Sequence, residues 1–275
     1  MFILKTIDEL KSYRNSLENK TIGFVPTMGA LHKGHLSLIS KSKEQNDVSI
    51  VSIFVNPTQF GENEDFSKYP RNINKDLELC KISGVSAVFL PSTEELYPSS
   101  DEVILIPPKN LTNKFEGSLR DGHFSGVLRV VLKFFNLIKP HNAYFGKKDA
   151  QQLLIIKKMV NDLFLDINII GCPILRDSNN LALSSRNIYL DSTAYNKALQ
   201  IPKAIEGVSK AVLGKEINAR VIEKIALKEL KELDVDYCNV VDLNLDSIEV
   251  IKEKESLLLI AVRIDNTRLL DNFWF

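Results

Sequence analysis

The run Val-Ser-Ile-Val-Ser-Ile-Phe-Val at 48–55 admits few folds. It carries no charge, is rich in Val and Ile, and is far too short to cross a membrane, so it reads as a central strand covered on both faces. Shorter runs of the same kind stand at 21–25, 86–90, 143–145 and 167–170. Between them, 36–45, 74–83, 124–138 and 149–161 carry the apolar spacing of helices. Strand and helix in alternation predict an α/β fold, a parallel sheet with helices on both faces. The pattern changes after about residue 185. Residues 192–213 and 216–233 read as two amphipathic helices, followed by strand-like runs at 237–243 and 257–264. Helices followed by paired strands suggest a small α+β domain. The turn-rich Asp177-Ser178-Asn179-Asn180 marks the boundary, giving domains 1–176 and 177–275.

Charge narrows the function. Lys plus Arg number 35 and Asp plus Glu number 35 in 275 residues. A balanced chain lacks the net basic field that non-specific nucleic-acid or anionic-membrane binding needs, yet it can still build a local basic pocket. The cysteines, Cys80, Cys172 and Cys238, lie too far apart for a CxxC metal site or a disulfide framework, and read as buried thiols. An acid at Asp8 interrupts the N-terminal apolar stretch before it reaches signal-peptide length, and no run is long enough to span a bilayer. A cytoplasmic protein, acting on neither nucleic acid nor membrane, is expected.

Four segments carry chemistry. Pro26-Thr27-Met28-Gly29-Ala30-Leu31-His32-Lys33-Gly34-His35 lies between the first strong strand and a helix. That is the crevice outside the carboxyl end of a strand, where α/β sheets bind ligands. Gly29 and Gly34 allow close backbone approach, and the helix start offers free N–H groups and a positive dipole end to a phosphate. His32 and His35 can both face that phosphate as donors. A pair of helix-capping histidines and a metal site are the competing readings; catalytic zinc usually takes three protein ligands, and no further cluster accompanies these two. The pattern is not GxGxxG, which argues against a hydride-transfer cofactor.

Asn56-Pro57-Thr58-Gln59-Phe60-Gly61 follows the strand at 48–55, and the amides of Asn56 and Gln59 suit hydroxyl and carboxylate groups. Gly146-Lys147-Lys148-Asp149-Ala150-Gln151-Gln152 follows the strand at 143–145, with two lysines where a helix start favours acids. Leu183-Ser184-Ser185-Arg186 offers hydroxyls and a guanidinium to a polyphosphate losing pyrophosphate.

Together these segments, with Tyr69-Pro70-Arg71, Phe115-Glu116-Gly117-Ser118-Leu119-Arg120-Asp121-Gly122-His123-Phe124-Ser125-Gly126-Val127 and Thr267-Arg268-Leu269-Leu270-Asp271-Asn272, resemble the pantothenate synthetase family within the HIGH-motif nucleotidyltransferase superfamily. The resemblance runs through nearly the whole chain. It implies a Rossmann-like doubly wound parallel sheet and a smaller C-terminal α+β lid domain. It implies a carbon–nitrogen ligase that condenses pantoate with β-alanine, using ATP and Mg2+, through pantoyl adenylate, with release of AMP and pyrophosphate. It implies His35, His32, Lys148 and Arg186 as catalytic groups. ATP would lie against Met28, Gly29, Ala30, Leu31, His32, Lys33, Gly34, His35, Gly146, Lys147, Lys148, Asp149, Leu175, Leu183, Ser184, Ser185 and Arg186. Gln59, Gln152 and Asn56 would bind substrate, Gln59 also lying near β-alanine. Asp76 and Glu116 would border magnesium, and a homodimer is implied. Lys33, Leu183 and Asp121 depart from the family's usual residues, and none of them removes a reacting group. The alternatives are another HIGH-motif nucleotidyltransferase, which would need a cationic subsite in place of the paired glutamines, and a catalytically silent nucleotide-binding protein on the same fold.

Overall fold

The computed structural model describes residues 1–62, 64–99 and 101–275. The chain clusters into two compact units, Met1–Lys147 with Ile155–Cys172, and Lys148–Leu154 with Pro173–Phe275.

In the first unit β1 (Phe2–Leu4), α1 (Ile7–Asn15), β2 (Ile22–Thr27), α2 (Lys33–Gln45), β3 (Val48–Ile53), α3 (Ile73–Ile82) and β4 (Ala87–Phe89) follow one another. Four helices come next, α4 (Thr93–Leu96), α5 (Lys109–Thr112), α6 (Phe115–Leu119) and the long α7 (His123–Ile138). They lead to β5 (Asn142–Gly146), α8 (Ala150–Asp162) and β6 (Asn168–Cys172), and α8 is shared between the units. Among the described residues the six strands form one parallel sheet, ordered β1-β4-β3-β2-β5-β6. The chain runs outward from β2 in one direction and later returns to add β5 on its other side. The border of β2 and β5 is therefore a topological switch point, and the loops leaving both strands open at the same end of the sheet.

Every residue of β3 is buried, as a run without polar alternation requires. One face carries Val25, Ile39, Val51, Cys80, Val88 and Tyr144. On the other, Phe134 of α7 meets Phe24, Phe54 and Phe89 edge-on at 5.7, 6.4 and 6.1 Å between centroids. Such tilted aromatic contacts add to the area they bury. This helix also packs on α1, and its apolar face is wide, leaving Ser125, Arg129, Lys133 and Asn136 along one polar stripe. The three cysteines are buried and unpaired, and burial pushes the thiols of Cys80 and Cys238 up to about 12.

The second unit holds α9 (Ser192–Ala198), α10 (Gln200–Leu213), α11 (Ala219–Glu229) and the antiparallel meander β7 (Asp234–Asp242), β8 (Ser256–Ile264) and β9 (Thr267–Trp274). The single helix expected at 192–213 is broken at Leu199. Pro202 has no N–H for the carbonyl of Ala198 and its ring crowds that carbonyl, so one helix ends there and the next starts with the proline in its first turn. The helix expected at 216–233 is shorter, because Asn218 caps it by accepting from Arg220 N and Val221 N. Asp177–Asn180, expected as a linker, forms a tight turn. The Asp177 carboxylate accepts from Asn179 N, Leu181 N and the Tyr195 hydroxyl.

Candidate active site

Thr27 ends β2 by turning its hydroxyl onto the Ser52 carbonyl and accepting Gly29 N. Gly29 and Ala30 then take left-handed conformations, φ 80° and 51°. An alanine pays a steric penalty there unless its surroundings hold it. The holder is Asp76, on α3, which is 2% exposed and accepts Ala30 N at 2.9 Å and Leu31 N at 2.8 Å. Leu31 itself is buried, its side chain in the core cluster of the sheet's Val25–Val51 face.

The helix expected from residue 36 begins at Lys33, so His35 stands in its first turn and His32 is the N-cap. Nδ1 of His32 accepts Gly34 N at 3.0 Å, and Nδ1 of His35 accepts His32 N at 3.3 Å. A ring nitrogen that accepts an N–H carries no proton, so in both residues the proton sits on Nε2. The expectation of two donors and the competing reading of two caps are thus the two edges of the same rings. A Cβ at Gly34 would stand 2.7 Å from the His32 ring, so only glycine lets the ring lie down on the backbone.

The turn after β3, Pro57–Gln59, is fixed by Asn56, which is 1% exposed. Its Nδ2 donates to Gln59 Oε1 at 3.0 Å and to the Gly126 carbonyl at 3.1 Å. Its Oδ1 accepts from Thr58 and from the Tyr97 hydroxyl. Asn56, expected to touch substrate, braces this turn, with Nδ2 and Oδ1 both hydrogen-bonded inside the protein. It orients the Gln59 amide with Nε2 toward the sulfur of Met28, 3.3 Å away. Among the expected contacts, Met28, Asn56 and Gln59 are brought together.

Gly146 ends β5, and Lys147 N donates to the Cys172 carbonyl. In the second unit Lys148 approaches Asp149 at 3.6 Å, while its carbonyl accepts Asn272 Nδ2 at 2.7 Å. The neighbouring Asp271 is paired through both oxygens with Arg176 at 2.7 and 2.9 Å. Leu183 N donates to the Leu175 carbonyl, and Ser184 caps the turn Ser185–Tyr189 by accepting Arg186 N at 3.2 Å. Lys148, Ser184, Asn187 and Asp271 line one concavity. Gln152 is half-buried beside the buried Gln151.

Of the residues expected to border magnesium, Asp76 accepts Ala30 N and Leu31 N through its two oxygens, and Glu116 is buried in the first turn of α6. Among the described residues no group of three or more His, Cys, Asp or Glu could hold a metal ion. Sequence reasoning gave no role to His123, Arg120, Gly126, Asp271 or Asn272, although all lie in segments that carry the family resemblance.

The model of the pantoate-beta-alanine ligase family matches residues 2–274. The pantothenate synthetase of Helicobacter pylori (strain Shi470) is 53% identical over 276 residues, covering 100% of both chains. That of Wolinella succinogenes is 49% identical over 274 residues, again with 100% of both covered. Pantothenate synthetase from Thermus thermophilus superposes with a TM-score of 0.93 at 36% identity over 99% of each chain. Pantoate-beta-alanine ligase from Francisella tularensis, solved complexed with beta-gamma ATP and beta-alanine, superposes with a TM-score of 0.83 at 38% identity, covering 100% of this chain and 97% of that one.

Proposed function

This chain belongs to the pantoate-beta-alanine ligase family, and from that premise we propose how its residues divide the work. The enzyme condenses pantoate with β-alanine at the expense of ATP. The pantoate carboxylate attacks the α-phosphorus, the bond from that phosphorus to pyrophosphate breaks, and pantoyl adenylate forms. The β-alanine amine then attacks the acyl carbon, loses a proton, and expels AMP.

The observation that carries this reading is the double occupation of Nδ1 in His32 and His35. It leaves two Nε2–H donors at the start of α2, beside the switch point of the sheet. Donors preset toward the α-phosphate oxygens act where charge builds in the transition state, with no reorganisation at the moment of reaction. The neutral amide of Gln59, aimed by Asn56, orients the pantoate carboxylate or hydroxyls without binding the nucleophile so tightly in the ground state that the gain is lost. Gln152 serves the same substrate, and Gln59 borders β-alanine. Lys148 and Arg186 screen the phosphates as pyrophosphate leaves, with Ser184 and Ser185 on the same loop as Arg186. The lid role of residues 177–275 is part of this proposal, supported by the phosphate-binding residue types on that loop.

With both Asp76 oxygens accepting backbone N–H groups, a Mg2+ ion accompanying ATP would be held mainly by the nucleotide phosphates and would offset their charge. Two copies of the chain form the enzyme in this reading, and exposed Val103, Ile104 and Ile106 supply an apolar surface of the kind such contacts bury. No helix among the described residues is long and apolar enough to cross a membrane, and a cytoplasmic location is proposed.

The test is isotope exchange between pyrophosphate and ATP. It should require pantoate and proceed without β-alanine. Exchange that demands β-alanine would rule out a free-standing adenylation step.

A further inference from the structure

His123 opens α7 behind Gly122, whose φ of 71° turns the chain into the helix. It is 7% exposed. Its Nε2 lies 3.0 Å from Arg120 Nη1, and a guanidinium can only donate, so Nε2 accepts. The proton is therefore on Nδ1, which donates to the main-chain carbonyl of Gln59 at 2.8 Å. Arg120 is itself gripped by Glu64 through two bonds of 2.8 and 2.6 Å. A bidentate pair of this kind fixes direction as well as distance.

One turn further on, the Gly126 carbonyl accepts the amide of Asn56. A Cβ on Gly126 would fall 2.1 Å from the Thr58 carbonyl oxygen, so the turn Pro57–Gln59 rests directly on bare helix backbone. The first turn of α7 thus reaches the Gln59 segment at its side-chain brace, at its backbone surface and, through His123, at the carbonyl of Gln59. A buried histidine in a core ordinarily satisfies whatever polar group lies nearest. This one joins an ion pair to the backbone of the residue whose amide Asn56 braces against Met28.

We propose that His123 is a positioning residue for the acid-binding amide. Its Nδ1–H, sharpened as a donor by the Glu64–Arg120 pair on the far side of the ring, holds the Gln59 main chain so that Nε2 points at the substrate. The proposal rests on the reading of Gln59 as a pantoate contact. It also specifies opposite tautomers within one site, Nδ1–H for His123 and Nε2–H for His32 and His35. The low proton affinity of His123, pushed down to about 4 chiefly by burial and secondarily by Arg120, agrees with a ring kept neutral.

Two amide variants separate the two edges of the ring. In His123→Asn the amide nitrogen falls near the place of Nδ1 and keeps the donor to Gln59. In His123→Gln the side-chain oxygen reaches the place of Nε2 and keeps the acceptor for Arg120. The expected result is that His123→Gln binds pantoate roughly tenfold more weakly than His123→Asn, about the worth of one buried hydrogen bond, with the KM for ATP alike in both. Equal pantoate affinities in the two variants overturn the proposal. Gln59→Ala is measured alongside. If it leaves pantoate affinity unchanged, the acid-site reading fails first. If it weakens pantoate while the two His123 variants agree, the positioning role alone fails. Imidazole nitrogen shifts of the wild-type protein give a readout that needs no variant to fold: His123 carrying its proton on Nε2 would also sink the idea.

Discussion

The backbone N–H of His32 donates to Nδ1 of His35 at 3.3 Å, and the two rings stand 4.1 Å apart between centroids. The donor edge that chemistry needs is set by the edge that capping uses. Protonating either Nδ1 would place an N–H against an N–H and undo the helix start. His35→Ala removes one preset donor and one cap bond together. The expected outcome is a loss of ~10²–10³ in kcat for adenylation, with helix stability down by about 0.5–2 kcal/mol. Single-turnover adenylation and urea unfolding measure the two. Normal turnover by the folded variant removes His35 from the catalytic assignment.

Asp76 answers a question of metal against backbone. In Asp76→Asn the side chain keeps one acceptor oxygen, and its NH2 confronts whichever of Ala30 N and Leu31 N the oxygen does not serve. Stability should fall by about 1–3 kcal/mol for the orphaned donor. The KM for ATP should rise, and extra magnesium should not restore it. Activity that recovers on magnesium titration would return Asp76 to the metal.

Gln152→Glu places a carboxylate in the proposed acid site. Like-charge repulsion should weaken pantoate binding while ATP affinity stays close to that of the parent. Calorimetry with each ligand checks this. Unchanged pantoate affinity takes Gln152 out of the acid site.

His123 makes stability depend on pH. Burial first, then the Arg120 guanidinium, lower it to about 4 from an ordinary 6.5, against the pull of the Gln59 carbonyl, Glu64 and Glu116. The unfolded chain takes up this proton at a higher pH than the folded one. Between the two values it binds more protons, so stability falls as pH falls. The contribution is fully present above about pH 6.5 and is worth about 3 kcal/mol. It is lost as pH drops toward 4. Urea unfolding from pH 7 to 4.5 should show a steeper decline for the wild type than for His123→Asn. Parallel curves would contradict a neutral buried ring.

The α/β layout was legible because β3 and its neighbours are uncharged runs rich in β-branched and aromatic residues, and the HxGH and NPTQ turns were legible because they follow such strands. The edges were not. β1 is a three-residue strand whose first two residues are exposed, so it leaves little apolar pattern. The capping box of α1, Thr6 with Glu9, was a readable signal that went unread. β9 was obscured by Asp271, an acid on the buried face that makes sense only once Arg176 is seen beside it. For the site, residue type showed what could bind but not which atoms were already taken. Asp76 and Asn56 look like ligand contacts in the sequence. In the structure the Asp76 oxygens accept from the Ala30–Leu31 backbone and Asn56 Oδ1 from Thr58 and the Tyr97 hydroxyl, and no spacing rule reports the long-range partners.

Alanine scanning assumes that substitution deletes information, a side chain at a time. At Gly126 the information is an absent atom, and the scan would add one. The survey would then rank as most harmful on α7 a position with nothing to lose, and the damage would surface in acid recognition at residues the scan had left intact. Any map of this protein drawn from side-chain removal alone will therefore miss the bare helix backbone on which the Gln59 turn lies.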